Sequence, residues 1–209
     1  GGVDSLCLTT LYGFNSLDLV SSEPCRPWDE ERRGISIGEA AGFALLERQS
    51  DAPSACRLLG YGESSDAYHM SAPHPQGAGA ALAMQQALDR AGITTREVDY
   101  INLHGTATPS NDAAEDQAVT SLFDSPVSCS STKGFTGHTL GAAGICEAVF
   151  SLLALQHGFL PQTLNCRKAD EKLQLPVLLE PEQRSINRVL SNSFGFGGNN
   201  CSLLFGTSA

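Results

Sequence analysis

The sequence has few charged residues, and its basic residues are fewer than its acidic ones. Its 209 residues contain 13 lysines and arginines against 23 aspartates and glutamates, which gives a formal net charge of −10. Proteins that bind nucleic acid usually carry a clustered basic face. The densest basic cluster here, Arg32-Arg33, directly follows Glu30-Glu31. The composition therefore argues against a nucleic-acid partner, and an acidic protein partner would need a local basic patch to overcome long-range repulsion.

The sequence also lacks paired cysteines, metal-ligand clusters and long apolar runs. Its seven cysteines are odd in number and widely spaced, with no CxxC pair and no Cys/His cluster. No uninterrupted apolar stretch approaches the roughly 20 residues of a membrane span, and no signal peptide is recognisable. Hydrophobic residues nevertheless make up 41% of the chain, enough for a substantial core. We expect a cytoplasmic globular protein without a metal or a membrane partner.

Strands and helices alternate along the chain, which predicts a layered α/β domain. The predicted strands are Phe43–Leu46, Arg57–Glu63, Val98–Leu103, Val127–Ser131, Arg188–Ser193 and Cys201–Phe205. The predicted helices are Asp4–Val20 with its exit, Ala78–Ala91, a helix capped by Asn111 or Asp112 that runs to about Phe123, and Leu140–His157. In the third helix, Glu115 and Asp116 suit the positive end of the helix dipole.

Three stretches place unusual residues at a strand end or a helix start, where sites in α/β proteins commonly form. They read HGTATPSND (residues 104–112), STKGFTGHTLGAAG (residues 131–144) and NSFGFGGNN (residues 192–200). His104 either donates a hydrogen bond to a substrate or satisfies a turn. Lys133 and His138 either belong to a site or are a surface lysine and a helix-entry histidine. The third stretch is either a hairpin turn or, because of its two aromatic residues, a flap beside a ligand.

Together and in this order, the three stretches resemble the C-terminal signatures of the β-ketoacyl carrier-protein synthases. Arg26–Asp29, Gly38–Gly42 and Ser64–Met70 also resemble family segments, so the resemblance covers essentially the whole chain. It implies a thiolase fold, in which two similar α/β halves stack as α-β-α-β-α layers. Residues 1–55 would be the trailing part of the N-terminal half, and residues 56–209 the complete C-terminal half.

The resemblance also implies an acyltransferase activity and its residues. Family members decarboxylate a malonyl thioester and condense it with an acyl group held on a cysteine. His104 and His138 match the two active-site histidines, Lys133 matches the lysine that supports them, and Glu147 matches a nearby structural acid. Two neutral histidines that donate hydrogen bonds to the enolate oxygen would lower the decarboxylation barrier.

The same resemblance implies how substrates reach the site. Thr106 and Thr108 match the threonines that bind phosphopantetheine, and Phe196 matches the gating phenylalanine, whose backbone N–H helps to form the oxyanion hole. The implied partners are an acyl carrier protein and a homologous synthase subunit, in a homodimer or a heterodimer. No cofactor is expected, because the phosphopantetheine arm of the carrier protein carries the substrates. The implied pathway is fatty acid or polyene/polyketide synthesis.

One family feature has no match in this sequence, namely the elbow that carries the nucleophilic cysteine. That elbow lies upstream of the segment that begins this chain, and we expect Cys7 to be a packed helix residue instead. The segment alone is therefore expected to be inactive and to belong to a longer enzyme. An alternative is a non-catalytic partner subunit that resembles a chain length factor. A degradative thiolase is disfavoured, because Cys201 does not lie in the second-cysteine motif of thiolases.

Overall fold

The computed structural model describes residues 1–48 and 56–207. The strands are β1 (Gly2–Asp4), β2 (Ala40–Gly42), β3 (Cys56–Ser65), β4 (Tyr100–Asn102), β5 (Ser128–Ser130), β6 (Phe159–Leu160), β7 (Glu182–Gln183), β8 (Arg188–Gly195) and β9 (Asn199–Thr207). The helices are α1 (Leu8–Asn15), α2 (Ala78–Ala91), α3 (Pro109–Leu122), α4 (Lys133–Thr136) and α5 (Ala143–His157). Short 3₁₀ turns cover Thr95–Glu97, Leu140–Ala142 and Phe196–Gly198.

A mixed sheet in the order β3-β9-β8-β4-β5 forms the centre of the molecule. Strand β4 runs parallel to both β5 and β8, whereas β9 is antiparallel to β8 and β3. The carboxyl ends of β8, β4 and β5 therefore lie at one edge of the sheet. Loops that follow parallel strands at such an edge are where α/β folds place their sites.

Alternate residues of the central strands face two separate apolar layers. Ile101 and Leu190 pack with α2 and α3, whereas their neighbours Tyr100 and Val189 pack with α5. This alternation is the period of two that a strand imposes on its side chains. Because both faces are covered by helices, the strands are buried on both sides, and the sheet is a rigid base for the loops at its edge.

Two glycines of β3 let helix α2 lie unusually close to the sheet. A Cβ atom on Gly62 would lie 1.8 Å from the carbonyl oxygen of Ala83, and one on Gly60 would lie 2.1 Å from that of Ala87. Neither neighbour can yield easily, because both are helix backbone atoms. The close contact of α2 with the sheet therefore requires glycine at these two positions.

Most of the predicted elements are confirmed. The helix at Ala78–Ala91 has the predicted bounds and ends at Gly92, which adopts a left-handed conformation with φ +67°. The strands expected at residues 57–63, 98–103, 127–131, 188–193 and 201–205 correspond to β3, β4, β5, β8 and β9. The long C-terminal helix also forms, although its regular part begins at Ala143 after a 3₁₀ turn.

The predicted buried strand at Phe43–Leu46 is wrong. The observed strand, β2, covers Ala40–Gly42 and pairs with β1, while Phe43 and Leu45 are 79% and 84% exposed. In the described residues no further strand covers this segment, and its apolar side chains are therefore largely exposed. The predicted helix Asp4–Val20 is likewise shorter, because Gly2–Asp4 forms β1 and regular helix covers only Leu8–Asn15.

The predicted start of the third helix is also wrong. Helix α3 begins at Pro109, with Thr108 as its N-cap residue, because proline suits the first helical position, where an N–H has no helical partner. Asp112 does not cap the helix. Its carboxylate turns away and accepts hydrogen bonds from the backbone N–H groups of Trp28 and Ala107, at 3.0 and 3.2 Å.

Within the described residues, one stretch, Leu140–His157, could cross a membrane by length and composition alone. A core helix of a soluble protein passes the same test. Helix α5, which makes up most of the stretch, packs one face on the central sheet and buries the carboxylate of Glu147 on that face. We therefore interpret the stretch as a core helix.

The close contact between β3 and α2 predicts the effect of adding one methyl group. Gly62→Ala should lower the free energy of unfolding by about 1–3 kcal/mol, because the helix must move away from the sheet. The matched control is Ser65→Ala at the exposed end of the same strand, for which we expect a change within about 0.5 kcal/mol. Urea denaturation of the two variants measures both values, and equal midpoints would contradict the packing described here.

Candidate active site

The three sequence stretches meet at the edge formed by the carboxyl ends of the parallel strands. His104 follows β4, Lys133 and His138 follow β5, and Phe196 lies in the turn between β8 and β9. The common direction of the three strands brings together residues that are distant in sequence. The structure thus places four of the predicted site residues at one edge of the sheet.

A cavity of about 620 Å³ opens at this edge, within the usual volume range of ligand pockets. Its wall includes His104, His138, Thr106, Thr108 and Phe196. Five of the seven predicted site residues therefore line one cavity. Lys133 and Glu147 lie buried behind it, where Lys133 contacts both His104 and Glu147.

The two histidine rings lie edge to face in the cavity. Their centroids are 5.3 Å apart and their planes are nearly perpendicular, at 82°. Phe194 packs against His104 at a centroid distance of 5.7 Å. His104 itself is buried. The pairing of the rings favours the reading of His104 and His138 as parts of one site.

Hydrogen bonds fix the same tautomer in both rings. The backbone N–H of Leu140 donates to Nδ1 of His138 at 3.3 Å, and the ammonium of Lys133 lies 3.3 Å from Nδ1 of His104. Because each Nδ1 accepts a hydrogen bond, the proton of each neutral ring sits on Nε2. Both histidines can therefore donate through Nε2–H.

The site keeps both imidazoles neutral near physiological pH. Burial lowers the pKa of His138 to about 3, with a further contribution from the charge of Lys133. The pKa of His104 is lowered well below its ordinary value, first by burial and then by Lys133 and His138. Each ring is thus a hydrogen-bond donor without a charge of its own.

Lys133 is buried, so the alternative of a surface lysine is wrong. Its ammonium contacts the backbone carbonyl oxygen of His104 and the carboxylate of Glu147. Burial raises the pKa of Glu147, and the nearby Lys133 opposes that rise. Ser193 of β8 donates a hydrogen bond to the second carboxylate oxygen of Glu147 at 3.1 Å. The lysine therefore connects the histidine loop to Glu147 of α5, and Glu147 in turn is connected to β8.

Glu115 holds the histidine loop, a role that the sequence did not reveal. Its carboxylate is fully buried and accepts the backbone N–H groups of His104 and Gly105, both at 2.8 Å. Asn192 of β8 donates a third hydrogen bond at 3.1 Å.

The expectation that Glu115 and Asp116 serve the helix dipole is wrong. Both carboxylates instead accept hydrogen bonds from backbone N–H groups outside the helix. For Asp116 these are the N–H groups of Gln174 and Leu175. The spacing of Asp112 and Glu115, one helical turn apart directly after the loop, is the signal that could have indicated this role.

The other predicted residues occupy positions consistent with their expected roles. The hydroxyl oxygens of Thr106 and Thr108 lie 2.9 Å apart, in a part of the wall where Ser110 and Asn111 add further polar groups. Phe196 is half-exposed in a glycine-rich turn and packs against Phe14 of α1. Their assignments to phosphopantetheine binding and to gating stay predictions.

The cysteines of the described residues include no activated thiol in the cavity. Cys7 is exposed just before α1, so the prediction that it packs in a helix is wrong. Cys201 lines the cavity, but burial raises its pKa, and the thiolate is the nucleophilic form. The described residues also contain no cluster of three His, Cys, Asp or Glu side chains that could hold a metal ion.

Comparison with solved structures identifies the fold. A ketosynthase solved in complex with its chain length factor, from Xenorhabdus doucetiae, superposes with a TM-score of 0.94 at 47% identity over 100% of this chain and 52% of that chain. The ishigamide ketosynthase/chain length factor superposes with a TM-score of 0.95 at 36% identity, over 100% of this chain and 53% of that chain. The fold is therefore the thiolase fold of the ketosynthases.

Sequence comparison identifies the family. The C-terminal domain of the β-ketoacyl synthases matches residues 55–167. The mitochondrial 3-oxoacyl-[acyl-carrier-protein] synthase of Arabidopsis thaliana is 43% identical over 98% of this chain and 49% of its own length. The chain belongs to the β-ketoacyl synthase family, and it spans about half the length of the relatives that it matches.

The contacts of Glu115 predict that an amide cannot replace its carboxylate. Glu115→Gln would turn an N–H donor toward the backbone N–H groups of His104 or Gly105, and it should lower the free energy of unfolding by about 1–3 kcal/mol. NMR amide signals of His104 and Gly105 should shift in the same variant. The control is Glu171→Gln, an exposed carboxylate with 85% side-chain exposure, which should change neither quantity measurably. Unchanged loop signals in Glu115→Gln would refute this role.

The low pKa of His138 predicts a dependence of stability on pH. The unfolded chain binds a proton at this histidine below about pH 6.5, whereas the folded pKa is about 3. The contribution of His138 to stability is thus complete above pH 6.5 and is lost as pH falls toward 3. When the pH is lowered from about 7 to 5, the unsubstituted protein should lose about 2 kcal/mol more unfolding free energy than His138→Gln does. Denaturant titrations at these pH values measure the difference, and parallel curves would be inconsistent with a ring that the folded protein keeps neutral.

Proposed function

We propose that the native protein containing this chain is a 3-oxoacyl-[acyl-carrier-protein] synthase. It performs a decarboxylative Claisen condensation of malonyl-carrier protein with a cysteine-bound acyl group, in fatty acid or polyene/polyketide synthesis. The observation that carries the proposal is the pair of neutral histidines in the cavity, the buried His104 and the half-buried His138, whose ring centroids lie 5.3 Å apart, with the buried Lys133 in contact with His104. The similarity to 3-oxoacyl-[acyl-carrier-protein] synthases supports the same reaction.

In this reaction His104 and His138 stabilise the enolate. Loss of carbon dioxide from a malonyl thioester leaves negative charge on the thioester oxygen, and two Nε2–H donors directed at that oxygen stabilise it. Donors that are already in place need no reorganisation during the step. Lys133 favours the neutral rings through its charge, and Glu147 balances that charge in the buried site.

The remaining cavity residues bind and admit the substrate. The hydroxyls of Thr106 and Thr108 hold the amide-containing phosphopantetheine arm of an acyl carrier protein, so the protein needs no resident cofactor. Phe196 gates the cavity, and its backbone N–H contributes to the oxyanion hole of the acyl-transfer step. The nucleophile is a cysteine that the native protein supplies from outside this chain, and the chain alone is therefore inactive.

A second candidate function is that of a partner subunit that resembles a chain length factor. Two solved neighbours are ketosynthase complexes with chain length factors, and another is a ketosynthase with its acyl carrier protein. These neighbours support a heterodimer and a carrier-protein partner for the native protein. The complete His104, Lys133 and His138 set favours the active synthase over the partner subunit, because the proposed condensation uses all three groups.

The intact mass of the native protein and its sequence upstream of Gly1 test the choice between the two candidates. A longer chain with a cysteine in an elbow of small residues supports the condensing enzyme. A longer chain with another residue at that position supports the partner subunit. A native mass of 22.0 kDa, that of this chain alone, would contradict both.

Substitution of either histidine tests the reaction. His104→Ala or His138→Ala in the native protein should lower the rate of carbon dioxide release from malonyl-carrier protein by about 100- to 1000-fold, because each removes one preorganised donor. The control is His69→Ala, a histidine on the exposed loop after β3, which should leave the rate unchanged. Equal rates in all three variants would rule out the two-donor site.

A further inference from the structure

The loop that carries Thr106 and Thr108 holds one residue in a left-handed conformation. Ala107, between the two threonines, has φ +66°, which is uncommon for a residue other than glycine. Both backbone groups of Ala107 are bonded. Its N–H donates to Oδ1 of Asp112 at 3.2 Å, and its carbonyl oxygen accepts the N–H of Gly34 at 3.0 Å. The surrounding structure therefore imposes this conformation on the loop.

The same carboxylate holds a second left-handed residue. Oδ2 of Asp112 accepts the N–H of Trp28 at 3.0 Å, and Trp28 has φ +63° although its side chain is bulky and fully buried. One carboxylate thus fixes the backbone of two segments that are distant in sequence. Asp112 is itself fully buried, so its charge needs a partner inside the protein.

Arg32 is that partner. Its side chain is only 6% exposed, and its Nε lies 3.5 Å from Oδ2 of Asp112. A terminal nitrogen of the same guanidinium donates to the carboxylate of Asp170 at 2.7 Å and to the backbone carbonyl oxygen of Asp29 at 3.0 Å. Burial raises the pKa of Asp112, and the hydrogen bond from Trp28 and the charge of Arg32 oppose that rise. The guanidinium therefore favours the ionised carboxylate, whose two oxygens can both accept hydrogen bonds.

The position of His104 does not depend on this carboxylate. The N–H groups of His104 and Gly105 are held by Glu115, whereas Asp112 holds the part of the loop beyond Gly105. Among the described residues, those that line the cavity do not include Arg32. Loss of Arg32 would therefore disturb the threonine part of the loop and leave the histidine in place.

We propose that Arg32 is a positioning residue for the phosphopantetheine arm of the substrate, because through Asp112 it fixes the loop that presents Thr106 and Thr108 to the cavity. The inference deepens the proposed synthase activity and rests on it. The contacts that carry it are all made within this chain. Since Arg32 touches neither the arm nor the reacting atoms, its loss should weaken binding of the arm without slowing the release of carbon dioxide from bound substrate.

The test measures the release of carbon dioxide from malonyl-pantetheine by the native protein, because this small thioester contains the arm without the carrier protein. In Arg32→Gln, KM should rise about tenfold while kcat changes by less than about twofold, the pattern of an interaction made equally in the bound substrate and in the transition state. Arg32→Lys, which restores a positive charge, should recover part of the lost affinity. The matched control is Arg33→Gln, an exposed neighbour of the same type, which should leave both constants unchanged.

A double substitution tests whether Arg32 acts through Asp112. Asp112→Asn should raise KM at least as much as Arg32→Gln does, and the double variant should be no worse than Asp112→Asn alone, because the two substitutions break one connection. Additive effects on KM would overturn the inference. If Arg32→Gln does not fold, Asp170→Asn removes only the outer partner of the guanidinium and should still raise KM. An unchanged KM in that variant would then overturn the inference.

The remaining outcomes separate the inference from the function on which it rests. A folded Arg32→Gln with a lower kcat and an unchanged KM would mean that the guanidinium supports the reacting groups and not the threonines, and the inference would be wrong. It is equally wrong if the unsubstituted protein turns over malonyl-carrier protein but not malonyl-pantetheine, since the threonines would then not bind the arm. If the unsubstituted protein releases no carbon dioxide from either thioester, the proposed function itself fails, and the inference fails with it.

Discussion

The buried ammonium of Lys133 is the interaction on which the arrangement of the site depends. It contacts the loop after β4 through His104 and contacts α5 through Glu147, and it follows β5 itself. One charged group thus ties together three elements at the sheet edge. Such a group is costly to bury and becomes tolerable only when a counter-charge and hydrogen bonds surround it. The requirement for Glu147 behind Lys133 follows from that cost.

A second set of buried carboxylates fixes the backbone on which the histidine stands. Glu115 holds the N–H groups of His104 and Gly105, and Asp112 holds that of Ala107. Burial raises the pKa of Glu115 to about 7, because the charged carboxylate loses its contact with water. The hydrogen bonds from the loop offset part of that cost. The loop gains a fixed shape from this, whereas a loop exposed to water would exchange these hydrogen bonds with solvent. A preorganised donor is effective only if its backbone is held in this way.

The fold could be predicted from the sequence wherever one local signal determined the outcome. The strands after residue 56 and the helix ending at Gly92 follow from apolar runs and a left-handed cap. The exposed segment after Gly42 was predicted wrongly because an apolar run indicates burial but not what covers it. Among the predicted site residues, His104, Lys133 and His138 were chosen because their motifs carry the family resemblance, and the structure brings them together. Glu115 was missed, because its role depends on a contact with a loop eleven residues earlier, which helical periodicity does not encode.

Under the proposed function, condensation chemistry would be divided between two parts of one protein. The described residues supply two Nε2–H donors in one cavity, while the cysteine in the cavity wall, Cys201, has a raised pKa and is a poor nucleophile. The donors act on a malonyl thioester whether or not an acyl group is attached elsewhere, so decarboxylation and acyl transfer have separate structural requirements. A subunit could therefore lose the nucleophile and keep this half of the site intact. Retention of the donors alone accordingly indicates the decarboxylation step, and the identity of the nucleophile decides whether that step ends in a carbon–carbon bond.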